Sequence, residues 1–124
     1  MKMKITRTII VDDNPGFRRV LRRVLRRYPF IEVISEAENG EVTMDQVKAL
    51  DPDLVTVDIN LPGMDGFELA RMLRKTYPGT RIIFITLNGN KAFRRAAARM
   101  GCPYVAKVSL LEDISSVMEK FGAN

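Results

Sequence analysis

Short runs of β-branched and other apolar residues alternate along the chain with segments in which apolar residues recur every three or four positions. The first pattern is typical of buried strands and the second of amphipathic helices. Regular alternation of the two predicts an α/β fold, in which a parallel sheet is covered by helices. The predicted strands are Thr8 to Val11, Glu32 to Ser35, Leu54 to Asp58, Arg81 to Thr86 and Tyr104 to Ala106.

A helical pattern follows each predicted strand. The first helix is expected to begin at Asn14-Pro15, because Asn can cap free backbone N–H groups and Pro suits the first helical position. Its apolar residues cover one arc and its arginines the opposite arc, which predicts one packed and one solvent-facing side. The apolar arc comprises Phe17, Val20, Leu21, Val24, Leu25 and Tyr28. The later helices are predicted at Glu41 to Leu50, Phe67 to Tyr77, Lys91 to Met100 and Leu111 to Phe121.

Composition is that of an ordinary globular protein of one domain, with 124 residues, 46% hydrophobic and 28% charged. The single cysteine, Cys102, has no partner in the chain for a disulfide bond, and the N-terminal segment lacks a secretory core. No apolar run approaches the roughly 20 residues that cross a bilayer. We therefore expect a cytoplasmic protein without a membrane span.

The net charge of +5 is concentrated in the first predicted helix. Six arginines lie there within ten residues: Arg18, Arg19, Arg22, Arg23, Arg26 and Arg27. Because these six charges exceed the net charge, the rest of the chain is nearly neutral. The arginines are interpreted either as a solvated helix face or as a docking surface for an acidic partner. No aromatic interleaving or binding motif accompanies them, so direct nucleic-acid binding is not expected.

Polar residues stand where the predicted strands end. Asp12 and Asp13 follow the first strand, Asp58 ends the third, Thr86 the fourth, and Lys107 follows the fifth. In a parallel sheet these side chains meet in one crevice. Clustered carboxylates repel one another and favour a bound hard cation, and Mg²⁺ prefers oxygen ligands, whereas the lack of histidine argues against zinc. The alternative is that the aspartates are turn and capping residues.

Four segments carry a resemblance to a known family: Val11 to Pro15, Val57 to Gly66, Ile85-Thr86 and Tyr104 to Lys107. In order and spacing they resemble the signature of bacterial two-component response-regulator receiver domains of the chemotaxis-receiver type, over essentially the whole chain. The resemblance implies a doubly wound, five-stranded parallel sheet of flavodoxin-like order 2-1-3-4-5 with five flanking helices. It also implies a single receiver domain over residues 1–124, either stand-alone or part of a longer regulator.

The resemblance implies a role for each residue of the crevice. Asp58 would accept a phosphoryl group from a phosphohistidine on a histidine kinase or histidine phosphotransfer protein. Mg²⁺ would be held by Asp13, Asp58 and the Asn60 backbone carbonyl, with Asp12 acting largely through a water. Lys107 would supply a cation for the phosphoryl group. The protein would catalyse only its own phosphorylation and dephosphorylation, and would not be a turnover enzyme.

Thr86 and Tyr104 are the residues expected to switch. By resemblance, the Thr86 hydroxyl would move toward a phosphoryl oxygen, and Tyr104 would reorient into the space that is vacated. The surface expected to respond is formed by the fourth helix, fifth strand and fifth helix. This surface would bind an output domain, a target protein or a second copy of the chain.

Two residues depart from the family pattern. Val108 follows Lys107 where the family typically has a cis proline, and a cis bond before a non-proline residue costs about 2.5 to 4 kcal/mol, so a trans bond is expected. Leu87 is bulky where the family usually has a small residue, which predicts slow hydrolysis of the acyl phosphate. These departures leave open a pseudo-receiver that is never phosphorylated. A haloacid-dehalogenase-type phosphatase fits less well, because Asp12 and Asp13 are adjacent instead of separated by one residue.

Overall fold

The computed structural model describes residues 4–87 and 90–122. Its strands are β1 (Thr6–Val11), β2 (Ile31–Ala37), β3 (Leu54–Val57), β4 (Arg81–Thr86) and β5 (Tyr104–Ala106). Its helices are α1 (Pro15–Leu25), α2 (Gly40–Leu50), α3 (Gly66–Thr76), α4 (Lys91–Arg99) and α5 (Leu110–Gly122), with a 3₁₀ turn at Lys107–Ser109. Every predicted strand and helix is confirmed. The strand β3 ends at Val57, so Asp58 is the first residue after it rather than its last.

The strands pair in the order β2-β1-β3-β4-β5, and every pair is parallel. This confirms the doubly wound sheet and the order 2-1-3-4-5. The chain leaves β1 outward to β2 and then returns across β1 to β3, so the strand order reverses there. The carboxyl ends of β1 and β3 are neighbours at this point, which is where open α/β sheets bind ligands.

Asparagine or aspartate is the N-cap residue directly before each of the first four helices. The side chains of Asn14, Asn39, Asp65 and Asn90 accept hydrogen bonds from the backbone N–H three residues later, at 2.9 to 3.1 Å. Each such cap satisfies a donor that the helix itself cannot pair and contributes about 1 kcal/mol. The predicted start of the first helix at Asn14-Pro15 is confirmed.

Two cores cover the two faces of the sheet. Neighbouring residues of a strand point to opposite sides, so Ile9 packs with Leu69 of α3 whereas Ile10 packs with Leu21 of α1 and Ile114 of α5. Because both faces are buried, β1 ends in a run of three consecutive apolar residues, whereas its first three residues are polar. None of the described helices combines the length and the hydropathy that a transmembrane span requires.

Helix α1 ends at Leu25, so Arg26, Arg27 and Tyr28 lie beyond the two arcs predicted for it, and two further assignments need correction. Val20, assigned to the packed arc, is 49% exposed, because it lies at the margin of the apolar stripe where no other element covers it. Arg18, assigned to the solvent arc, is partly buried and donates to the Glu36 carboxylate at 2.9 Å and to the Asp12 carbonyl. Arg22 also pairs with Glu36. The end of β2 therefore offers α1 a polar contact that helical periodicity does not show.

Candidate functional site

The acidic residues at the strand ends form one cluster. Asp12, Asp13 and Asp58 each place a carboxylate oxygen within 4.8 Å of the others. Asp12 and Asp58 are buried and Asp13 is exposed. The three residues therefore lie together as predicted. They do so because β1 and β3 are parallel neighbours in the sheet.

Backbone hydrogen bonds continue the sheet past the strand ends and fix the two buried carboxylates. The N–H of Asp12 donates to the Ala37 carbonyl and that of Asp58 to the Val11 carbonyl, each at 3.0 Å. Asp12 Oδ1 accepts the Asn14 N–H at 2.9 Å. Both carboxylates are therefore held by the sheet itself, with their oxygens directed into the crevice.

Two donors orient the Asp58 side chain. Its Oδ1 accepts the Thr86 hydroxyl at 3.0 Å and the Asn60 N–H at 3.2 Å. Thr86 is 1% exposed, so this hydroxyl reaches Asp58 from within the protein. Thr86 and Asn60 thus both contact Asp58, the residue with which the sequence analysis grouped them.

Lys107 reaches into the crevice from the end of β5. Its Nζ lies 2.7 Å from Asp12 Oδ2 and 3.3 Å from Asp58 Oδ2. The contact with Asp12 lacks good hydrogen-bond directionality but is a short ion pair. The ammonium also lies 4.1 Å from the centroid of the Phe17 ring, a cation–π contact. The sequence analysis missed this contact, because helical periodicity marks Phe17 only as a packing residue.

Burial and charge shift the pKa values of the central pair. Burial raises the pKa of Asp12 and the nearby Asp58 carboxylate adds to the rise, which the Lys107 ammonium and the Asn14 N–H only partly oppose. Burial lowers the pKa of Lys107, but the close contact with the Asp12 carboxylate and the charges of Asp58 and Asp12 outweigh it, so the net shift is upward. Lys107 pairs with Asp12 and Asp58, whereas three carboxylates share the cluster, so the described residues favour additional positive charge there.

This donor set fits Mg²⁺. It consists of oxygen atoms alone, and Asp12 Oδ2 is a buried oxygen that makes no hydrogen bond of good geometry. Magnesium takes one or two carboxylates and completes its shell with other oxygens, including those of a phosphoryl group. Asp12, Asp13 and Asp58 are the side chains that would hold it.

Tyr104 lies on β5 opposite Phe84 and not beside Thr86, which is opposite Ala106. It is partly buried, and the guanidinium of Arg94 on α4 lies 4.6 Å from its ring centroid. Burial raises the pKa of the Tyr104 hydroxyl. The sequence analysis did not identify Arg94, because the contact joins two elements through side chains alone.

A groove of about 750 Å³ borders the crevice between α1 and the start of α5, and it is called the α1–α5 groove below. Phe17 and Lys107 belong to its lining, together with Arg23 of α1 and Arg27, which lies two residues after the helix ends. Its apolar lining includes four side chains that are about half exposed or more: Val20, Leu87, Val108 and Leu111, at 49%, 60%, 79% and 50%. The Lys107–Val108 peptide bond is trans, as expected.

Comparison with known proteins decides the family. The family described as response regulator receiver domain matches residues 8–119. The chain belongs to this family. This match confirms the family that the four sequence segments resemble. Receiver domains act in two-component signal transduction by phosphorelay.

Individual relatives agree with this assignment. The receiver is 34% identical over 120 residues to a protein-glutamate methylesterase/protein-glutamine glutaminase of Alkalilimnicola ehrlichii, covering 95% of the chain and 30% of that protein. It is 32% identical over 116 residues to the nitrate/nitrite response regulator protein NarL of Escherichia coli K12, covering 93% and 54%. A solved LuxR-family two-component response regulator from Aurantimonas sp. SI85-9A1 superimposes with a TM-score of 0.87 at 30% identity, covering 97% and 86%.

The receiver spans about half the length, or less, of the curated relatives it matches. These relatives share the receiver domain, but their names give different activities: two are methylesterase/glutaminases and one is a nitrate/nitrite response regulator. The likeness therefore supports the receiver interpretation over the phosphatase alternative.

Proposed function

We propose that this receiver takes a phosphoryl group onto Asp58 from a phosphohistidine of a histidine kinase or histidine phosphotransfer protein, with Mg²⁺ bound beside it. The observation that carries the proposal is the environment of Asp58. Its buried carboxylate is oriented by Thr86 and Asn60, lies 3.3 Å from the Lys107 ammonium, and shares the crevice with Asp12 and Asp13. Family membership and the donor set together support it.

The chemistry follows from these positions. An Asp58 oxygen attacks the phosphorus, the bond from phosphorus to the histidine nitrogen breaks, and an acyl phosphate forms while the imidazole leaves. The transferring group is loosely bonded, so alignment and charge stabilisation contribute most of the catalysis. Bound Mg²⁺ would supply positive charge to the phosphoryl oxygens. Lys107 presents its ammonium on the Asp58 Oδ2 side, and the hydrogen bonds to Oδ1 hold the carboxylate in one orientation.

The response would begin at Thr86. Its hydroxyl now donates to Asp58 Oδ1 and would change partner to an oxygen of the new phosphoryl group. Tyr104, packed beneath Arg94, would reorient as the end of β4 moves. The surface of α4, β5 and α5 would then present a changed face to an output domain, a target protein or a second copy of the chain.

The α1–α5 groove is the surface proposed to receive the phosphodonor protein. Its exposed apolar residues lie next to Lys107, and its arginines offer positive charge. Among the residues that the structure describes, Arg23 and Arg27 make no ion pair. A partner that carries acidic and apolar residues around its phosphohistidine fits this surface. Both partners would meet in the cytoplasm.

The proposal is tested by intact-mass analysis after incubation with acetyl phosphate, with and without Mg²⁺. The wild-type protein should gain the mass of one phosphoryl group only when Mg²⁺ is present, and Asp58→Asn should gain none. Asp45→Asn is the matched control, because Asp45 is an exposed aspartate on α2 away from the crevice. Labelling of Asp58→Asn at the wild-type level would refute Asp58 as the acceptor.

A second candidate function is a pseudo-receiver that binds partners without being phosphorylated. It is favoured by Leu87, which is 60% exposed and lines the groove next to Lys107, where it can narrow access to Asp58. The same mass analysis separates the two functions. A wild-type protein that stays unlabelled with Mg²⁺ and acetyl phosphate, and also with a phosphorylated phosphotransfer protein, would support the pseudo-receiver.

A further inference from the structure

Lys107 stands on a short connection between β5 and α5. The connection is the 3₁₀ turn Lys107–Ser109, which follows Ala106 directly and leads straight into α5. Val108, in the middle of the turn, is 79% exposed, so its side chain adds little packing that would hold the turn in place. The position of the Lys107 ammonium therefore depends on other contacts of this connection.

Asp113, in the first turn of α5, makes such contacts on both sides of Lys107. Its Oδ2 accepts the Ala106 N–H at 3.1 Å and the Ser109 hydroxyl at 2.8 Å. One carboxylate oxygen thus joins the residue before Lys107 to the residue two positions after it. Hydrogen bonds to a charged acceptor are stronger than those between neutral groups, which makes this a firm closure of the turn.

Asp113 is the hydrogen-bond acceptor for the backbone N–H of Ala106, which is buried. The strand β5 lies at the edge of the sheet and pairs with β4 alone, so every second N–H of β5 faces away from the sheet. Ala106 is 1% exposed, so without Asp113 its N–H would be buried without a partner. The acceptor therefore fixes the backbone at the residue from which Lys107 extends.

We propose that Asp113 is a positioning residue for Lys107. Through Ala106 and Ser109 it holds the turn so that the ammonium lies between Asp12 and Asp58 and can meet a phosphoryl group. The inference rests on the proposed function, because it assigns Asp113 a part in phosphoryl transfer to Asp58. Asp113 touches no reacting atom, so it would act only through Lys107.

The rate of phosphorylation by acetyl phosphate in Mg²⁺ is the first test. Asp113→Ala should lower the rate by about tenfold or more, because small displacements of a catalytic group are costly. Ser109→Ala, which removes one of the two bonds, should lower it less. Mg²⁺ affinity, measured by calorimetric titration without phosphodonor, should stay within about twofold, because the carboxylates that would hold the ion are untouched.

Glu119→Ala is the matched control, because it removes an exposed carboxylate from the same helix. It should change the rate by less than about twofold. Asp113→Asn keeps an oxygen acceptor of the same shape, so most of the rate lost in Asp113→Ala should return. A variant in which the rate does not return would contradict the proposal.

A double-mutant cycle separates positioning from a general structural role. In a Lys107→Ala background, Asp113→Ala should have no further effect on the rate, because the group it positions is gone. Equal losses in both backgrounds, or a parallel loss of Mg²⁺ affinity, would overturn the inference. If Asp113→Ala fails to fold, the same cycle with Ser109→Ala decides it. A wild-type protein that is never labelled would instead overturn the proposed function itself.

Discussion

At the residue scale, the two buried aspartates of the crevice have different partners. Asp58 accepts two hydrogen bonds at Oδ1 from protein donors, which fixes its orientation. Asp12 accepts one at Oδ1 and faces the Lys107 ammonium with Oδ2. The proposed acceptor is thus held in place by hydrogen bonds, whereas Asp12 directs a buried oxygen at a cation, the Lys107 ammonium. The neighbouring Asp13 is exposed and adds charge at the entrance.

The raised pKa of Asp12 predicts a pH dependence of stability in metal-free protein. The folded state binds this proton more tightly than the unfolded state, whose pKa is about 3.9. The free energy of unfolding therefore falls as the pH rises from that value through the folded pKa, and the cost persists above it. Asp12→Asn lacks this titration, so the wild-type value minus the variant value should decrease over the same window.

Urea unfolding of both proteins in chelator-treated buffer measures this difference. Lys107 does not disturb the comparison, because its pKa is raised from a value of about 10.4 and it stays charged throughout the window. The ion pair between Lys107 and Asp12 forms only as Asp12 loses its proton, so its contribution is already contained in the raised pKa of Asp12. A difference that stays flat with pH would show that burial does not penalise the charged form of Asp12.

At the element scale, the site depends on how closely α3 approaches the end of β3. The N–H of Gly66, the first residue of α3, donates to the Ile59 carbonyl at 2.8 Å. A Cβ at Gly66 would lie 2.4 Å from the Asp58 carbonyl oxygen and 2.6 Å from the Ile59 Cα. These neighbours are backbone atoms that cannot rotate away. Glycine is therefore required for α3 to pack directly behind the proposed phosphoacceptor.

Gly66→Ala is accordingly expected to lower the free energy of unfolding by about 1 to 3 kcal/mol, because the added methyl overpacks the contact. It should also slow labelling of Asp58 by acetyl phosphate, because the backbone of Asp58 must shift. Gly79→Ala is the matched control, since nothing lies within 4 Å of its Cβ position. Urea unfolding and labelling rates that are the same for both variants would contradict this account of α3.

At the scale of the whole molecule, charge and apolar exposure coincide on one side of the crevice. Two arginines of α1, Arg18 and Arg22, pair with Glu36 of β2. Arg23 and Arg27 instead line the α1–α5 groove beside Val108 and Leu111. Positive charge that is not compensated by the protein attracts an acidic partner over a distance of roughly the Debye length.

Neutralising the groove is expected to affect phosphoryl transfer from a protein donor and not from a small one. Arg23→Ala with Arg27→Ala should lower the transfer rate from a phosphorylated phosphotransfer protein several-fold at low salt and flatten its salt dependence. Arg71→Ala with Lys75→Ala, which removes two exposed charges from α3, is the control. Stopped-flow transfer rates that fall equally in both pairs would argue for general charge attraction instead of docking at this groove.

The elements and the membership of the crevice could be predicted because their causes are local. Apolar spacing marks the strands and helices, and Asn14-Pro15 marks the start of α1. Parallel strands deliver their ends to one edge, so Asp12, Asp13 and Asp58 were expected to meet. The strand order came from the resemblance, because the local pattern does not say which strands are neighbours.

The contacts that give the crevice its properties were decided only by the tertiary structure. Lys107 over Phe17, Arg94 over Tyr104, and Asp113 between Ala106 and Ser109 join side chains through loop geometry and helix placement. The exposure of Val20 likewise depends on where neighbouring elements end. By itself the sequence determined where apolar residues recur with the spacing of a strand or a helix, and which chemical groups stand at the strand ends. Both are properties of short segments. Distances between remote residues arise from packing, and no short segment contains them.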